Sequence, residues 1–119
     1  MLRIKRVYDP QEPDDGLRFL VDRLWPRGVK KETLQMDGWL KDIAPSNELR
    51  HWFGHDPAKW KEFCRRYHAE LEANREAWLQ LLGLAAHQEV TLFYSAHDRE
   101  HNQAEALRLF LEKRMTAGL

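Results

Sequence analysis

The sequence predicts an α/β domain: a small central, mainly parallel three-stranded sheet flanked by helices, helix-rich overall. Three observations predict it. Short segments at 3–8, 17–24 and 90–94 carry β-branched and aromatic residues and read as strands. Between the second and third runs, apolar residues recur at three- and four-residue steps, the period of helices buried along one side. The second run holds Phe19, Leu20 and Val21 in unbroken succession, which suits a strand buried on both faces, central rather than at an edge.

Taken in order, the first strand has Ile4 and Val7 as its apolar positions and Tyr8 near its end. Residues 9–16 form a loop, marked by Pro10, Pro13, their acidic neighbours and Gly16. This connection is short for a helical crossover, so the sequence leaves the relative direction of the first two strands open. The pattern at 34–43, with Trp39 and Leu40, predicts a short amphipathic helix. Ser46 stands where an N-cap belongs, with Glu48 in the first turn of a helix that carries Leu49, Trp52 and Phe53 and stops at Gly54. Asp56 and Pro57 supply a second cap and first-turn proline. From Trp60 the stripe Phe63, Cys64, Tyr67, Leu71, Trp78, Leu81 and Leu82 predicts one long helix of about seven turns. A last helix is expected over about 102–115, its stripe made by Ala104, Leu107, Phe110 and Leu111.

At 119 residues the chain is long enough for one domain, 1–119, with a single core. Nineteen basic and nineteen acidic residues cancel, so contact with nucleic acid or a membrane surface would need a local basic patch. The single cysteine, Cys64, excludes an intramolecular disulfide and a cysteine-rich zinc module. The first residues lack the apolar core of a signal peptide, and no stretch reaches membrane length. A cytoplasmic protein with no membrane partner is the expectation.

The chemistry gathers where strands end. After Val21 come Asp22, Arg23, Trp25, Pro26, Arg27, Gly28, Lys30 and Lys31, and strand ends that run into charged Pro/Gly loops are where α/β proteins build sites. Arginine there can receive a carboxylate or phosphate bidentately; alternatively Asp22 pairs with Arg23 and the lysines are solvated surface. The third strand ends in Tyr94, Ser95, His97 and Asp98, just before the last helix, whose N-terminus also favours an anion. Asp98 or Asn102 serves equally well there as an N-cap. Arg50 and Trp52 belong to a third polar segment, 49–56.

Histidines four apart, His51 with His55 and His97 with His101, have zinc-like spacing, but no His-Glu-x-x-His frames them; no metal and no cofactor are expected. Cys64 lies on the apolar stripe, where a buried inert thiol is expected. Ser95 lacks a nucleophile-elbow context, and Asp22 is the candidate base. Of the five tryptophans, Trp39, Trp60 and Trp78 fit helical core positions, which leaves Trp25 and Trp52, each near an arginine, as candidate contact residues.

Arg-Val-Tyr-Asp at 6–9, Leu-Val-Asp-Arg-Leu-Trp-Pro-Arg-Gly at 20–28, Trp-Leu-Lys-Asp-Ile-Ala-Pro-Ser at 39–46, Leu-Arg-His-Trp-Phe-Gly-His at 49–55 and Tyr-Ser-Ala-His-Asp-x-x-His-Asn at 94–102 together resemble the YeaO-like branch of the domain of unknown function 488 family. The resemblance implies a small α/β fold with Asp22, Arg23, Pro26 and Arg27 beside the pocket. The broader family often carries a cysteine-bearing strand end in its last third. The corresponding stretch here, 94–102, has no cysteine, which argues against thiol-based chemistry.

The expected function is a pocket for an anionic, phosphate-bearing ligand at the C-terminal ends of the strands. Arg23, Trp25, Arg27, Arg50, Trp52, Tyr94, Ser95 and Asn102 would bind it, and Asp22, His97 and Asp98 would orient it or move protons. The partner would be an anionic small molecule or a nucleic-acid phosphate. The alternative is a non-catalytic nucleic-acid or protein-binding module that uses Trp25, Lys30, Lys31 and Trp52. The sequence does not specify a reaction.

Overall fold

The computed structural model describes residues 1–117. Strands β1 (Leu2–Arg6), β2 (Leu17–Leu20), β3 (Gly38–Trp39) and β4 (Val90–Tyr94) form one sheet in the order β1-β4-β2-β3, and every pairing is parallel. The sheet therefore has four strands rather than three. The added strand comes from the segment expected to be helical. Asp37 and Gly38 are poor helix formers; Asp37 sits at a bend, Gly38 and Trp39 are extended, and the Asp37 and Leu40 amides donate to the Arg18 and Leu20 carbonyls at 2.7 and 2.8 Å. Gly38 lies against the Phe19 ring, where an added Cβ would come within 3.3 Å.

Helices α1 (Asn47–Phe53), α2 (Trp60–Glu72) and α3 (Arg75–His87) join β3 to β4, and α4 (Gln103–Thr116) follows β4. The long helix expected from Trp60 is two helices. Asn74 leaves helical geometry at φ −129°, ψ 51°, and its side-chain amide donates to the Asp42 carbonyl at 3.2 Å. The Trp78 indole N–H then reaches the Leu71 carbonyl at 2.7 Å, satisfying an acceptor in the last turn of α2. An apolar stripe continues across the break, so periodicity alone could not reveal it. The remaining caps are as read. Ser46 Oγ accepts from the Leu49 amide, Gly54 closes α1 at φ +54°, Asp56 caps a short 3-10 turn begun by Pro57, and Asn102 caps α4.

Strand alternation divides the core. Phe19, Val21, Val90, Leu92 and Tyr94 join the buried faces of the four helices in the main cluster. Leu20 and Phe93, with Val7 and Leu34, form a smaller cluster under Trp25, Val29, Met36 and Trp39. The loop after β2 thus covers the face opposite the helices. β4 is buried along its whole length, and the ten-residue connection from β1 to β2 passes across its position with only a 3-10 turn at Pro13–Asp15 and no α-helix.

Candidate functional site

In a parallel sheet all strands deliver their C-terminal ends to one side, and here β2 and β4 do so as neighbours. Val21 extends the pairing, its amide donating to the Phe93 carbonyl at 3.1 Å. The next residue, Asp22, is only 6% exposed. Its Oδ2 accepts from the Ser95 amide at 3.0 Å and the Ser95 hydroxyl at 2.6 Å, and its Oδ1 accepts from the Gln103 side-chain amide. Burial pushes the Asp22 carboxyl above the usual carboxylate range, against the hydrogen bonds from Ser95 and Gln103 and the nearby Arg50 charge. Arg50 comes from the middle of α1. Its Nε is buried and has no hydrogen-bond partner among the described residues.

The structure thus brings Asp22, Arg50 and Ser95 together and adds Gln103, which the sequence reading did not single out. The Asn102 cap locates the start of α4, but the contact from Gln103 to Asp22 spans 81 positions and has no local signature. Arg6 was missed in the same way. Its guanidinium donates to the Ala96 and Ser95 carbonyls at 2.8 and 3.2 Å and braces the strand end that holds Asp22.

The other candidates are arranged differently. Arg23 turns away and donates to the Ala44 and Pro45 carbonyls at 3.1–3.3 Å, at one side of a 190 Å³ cleft shared with Ser46, Tyr67 and Glu70. Arg27 is exposed; its carbonyl accepts from the Tyr8 hydroxyl at 2.9 Å, while its guanidinium has no hydrogen-bond partner among the described residues. Trp25 donates to the Val29 carbonyl at 2.6 Å and meets Trp39 edge to face at 5.4 Å. Trp39, far from being a helix-core residue, donates to the Asp22 carbonyl at 2.7 Å. Trp52 lies on another surface, with Lys59 Nζ 5.0 Å and Arg66 Cζ 4.1 Å from its ring centre.

At the end of β4, Tyr94 is buried and its phenol is pushed up by desolvation. Asp98 accepts from the Glu100 and His101 amides at 2.9 and 3.0 Å and from His101 Nδ1 at 2.9 Å, and these bonds hold its carboxyl down. Asn102 caps the Glu105 amide at 2.9 Å and donates to the Asp98 carbonyl. His97 is exposed and makes no side-chain hydrogen bond among the described residues. Half-buried Cys64, its thiol pushed up to about 11 by burial, is a poor nucleophile. The carboxylate trio Glu12, Asp14 and Asp15 lies elsewhere and faces Lys5, Arg3 and Arg18.

These features define a parallel α/β domain with a buried carboxylate, Asp22, at its strand ends and the Arg50 charge nearby. The chain belongs to the DUF488-N3i family, described as "Inactive DUF488-N3 subclade", whose family model matches residues 1–118. It is 45% identical over 106 residues to "Uncharacterized protein YeaO" of Escherichia coli (strain K12), which covers 89% of this chain and 92% of that protein. It is 50% identical over 70 residues to "Uncharacterized protein Mb3100c" of Mycobacterium bovis and to "Uncharacterized protein Rv3073c" of Mycobacterium tuberculosis, in each case 59% of both chains. No solved structure matches. No helix among the described residues is long and apolar enough to cross a membrane.

Proposed function

We propose that this protein is a binding domain for an anionic, phosphate-bearing ligand, with Arg50 as the receiving cation at the strand ends. The observation that carries this reading is the buried Arg50 Nε that lacks an acceptor. A buried polar N–H left without a partner costs roughly 1–3 kcal/mol, more when the group is charged, and a ligand oxygen placed on it would recover that cost. Asp22 holds Ser95 and Gln103 by hydrogen bonds beside the Arg50 charge. Binding without turnover agrees with the description of the family as inactive. It also agrees with the capping bonds that occupy Asp98 and Asn102. A single half-buried cysteine suits a reducing compartment such as the cytoplasm.

Thermal-shift and calorimetric titrations with inorganic phosphate and a nucleoside monophosphate test the reading on wild type, Arg50→Met and Arg23→Met. One of the two ligands should raise the wild-type Tm by mass action, about 2.7 kcal/mol of stabilisation at a hundredfold excess over Kd. Arg50→Met should lose the shift while Arg23→Met keeps it. Equal binding by Arg50→Met, or no binding of either ligand to wild type, would remove the proposal.

A further inference from the structure

A second surface, chemically separate from the Arg50 site, lies on the loop that covers the other face of the sheet. Between residues 23 and 31 there are four basic residues and no acidic one. Many cations of this protein face carboxylates, as Arg3, Lys5, Arg18, Arg65, Arg99 and Arg108 do. Arg27, Lys30, Lys31 and, just beyond β3, Lys41 are exposed and form no ion pair among the described residues.

Two of these cations stand over indole rings. Lys31 Nζ is 5.6 Å from the centre of Trp25, and Lys41 Nζ is 4.4 Å from the centre of Trp39. The two rings meet at 5.4 Å with their planes 71° apart. The result is a ladder, Lys31–Trp25–Trp39–Lys41, with Lys30 and Arg27 exposed on the same loop as Trp25. Each indole N–H is bonded to a main-chain carbonyl, Val29 for Trp25 and Asp22 for Trp39, so both rings are fixed by one edge while remaining only half-buried. Packing over Leu20 and Phe93 accounts for the contact between the rings. It does not account for four free cations around them.

We infer that this ladder is a docking surface for single-stranded nucleic acid. Phosphates would take Arg27, Lys30, Lys31 and Lys41, and bases would replace the lysine ammonium groups over the indoles. The exchange is favourable in magnitude: an exposed ammonium over an aromatic ring is worth about 0.5–1 kcal/mol, whereas a base stacked on an aromatic side chain is worth about 1–3 kcal/mol. A duplex keeps its base faces stacked inside and offers only phosphates. An acidic peptide would meet the cations but leave the rings unused. With no net charge on the whole chain, attraction would come from local basic surface such as this loop, not from the overall field.

The test is a fluorescence-anisotropy titration of a short labelled oligodeoxythymidine, with tryptophan quenching read in parallel, at several salt concentrations. Wild type should bind the single strand and show quenching, with a log–log salt slope of roughly −3 for four phosphates. The charge reversal Lys31→Glu with Lys41→Glu should weaken binding about tenfold or more, since two of those phosphate contacts become repulsive, while a cooperative thermal melt, lowered by no more than the two lost ring contacts, shows the variant folded. Absence of binding at low salt, equal binding by the double variant, or equal affinity for a duplex or for polyglutamate would each overturn the inference.

Discussion

Asp22 and Asp15 are both buried carboxyls, and their surroundings move them in opposite directions. Asp15, 1% exposed, is pushed up by burial, but the Glu12 amide, Lys5 at 2.7 Å and Arg18 at 3.1 Å more than reverse this and hold it below the ordinary range. For Asp22 burial wins, and its carboxyl stands above that range. A raised carboxyl contributes stability that is complete below the unfolded value, near pH 3.9, and is lost as pH rises through the folded value. Wild type should therefore lose stability relative to Asp22→Asn as pH increases from about 4, a difference that urea melts across a pH series would measure. A difference that stays constant with pH would mean Asp22 titrates as it does in the unfolded chain. The sequence located Asp22 and Ser95 as polar residues at strand ends and Arg50 in a separate polar segment, 49–56. It could not tell that Arg23, next to Asp22, faces the Ala44 and Pro45 carbonyls instead, because direction at a strand end depends on contacts 21 and 22 positions away.

At the scale of elements, caps were legible and breaks were not. Ser46, Gly54, Asp56 and Asn102 act within a few residues of themselves, so their chemistry is written locally. Two non-local demands overrode periodicity: the edge of β2 drew Gly38 and Trp39 into the sheet, and Trp78 folded back on Leu71 at the junction of α2 and α3. The entry into β2 depends on close approach as well as conformation. Gly16 has φ +68°, and a Cβ there would lie 2.2 Å from the Glu89 carbonyl oxygen. Gly16→Ala should therefore destabilise by more than about 1 kcal/mol, since strain and collision add, and a lower urea midpoint with an unchanged slope would confirm it. The loop at 9–16 was recognised from its prolines, acids and glycine. Its contact with Glu89 follows from the crossing over β4, which no local pattern records.

For the molecule as a whole, the acid limb of stability should be set by the network across the sheet's second face. There Asp15 binds Lys5 and Arg18, and its carbonyl accepts from Thr91 of β4 at 2.7 Å. A depressed carboxyl contributes stability above the unfolded value that is lost as pH falls through the folded one. Asp15→Asn should cost roughly 2 kcal/mol at neutral pH, the worth of a charge-assisted hydrogen-bond set, and should flatten the loss of stability below about pH 4. Chemical melts of the variant and wild type at neutral and acid pH would show both effects. The sheet order has a further consequence for synthesis. β1 and β2 do not pair with each other; each leans on β4, which lies between them and is translated after both. At about 5–20 residues per second the ribosome needs several seconds to supply the missing strand. Until then the nascent chain carries two short strands whose β4-facing edges are bare, and one central insertion completes the sheet.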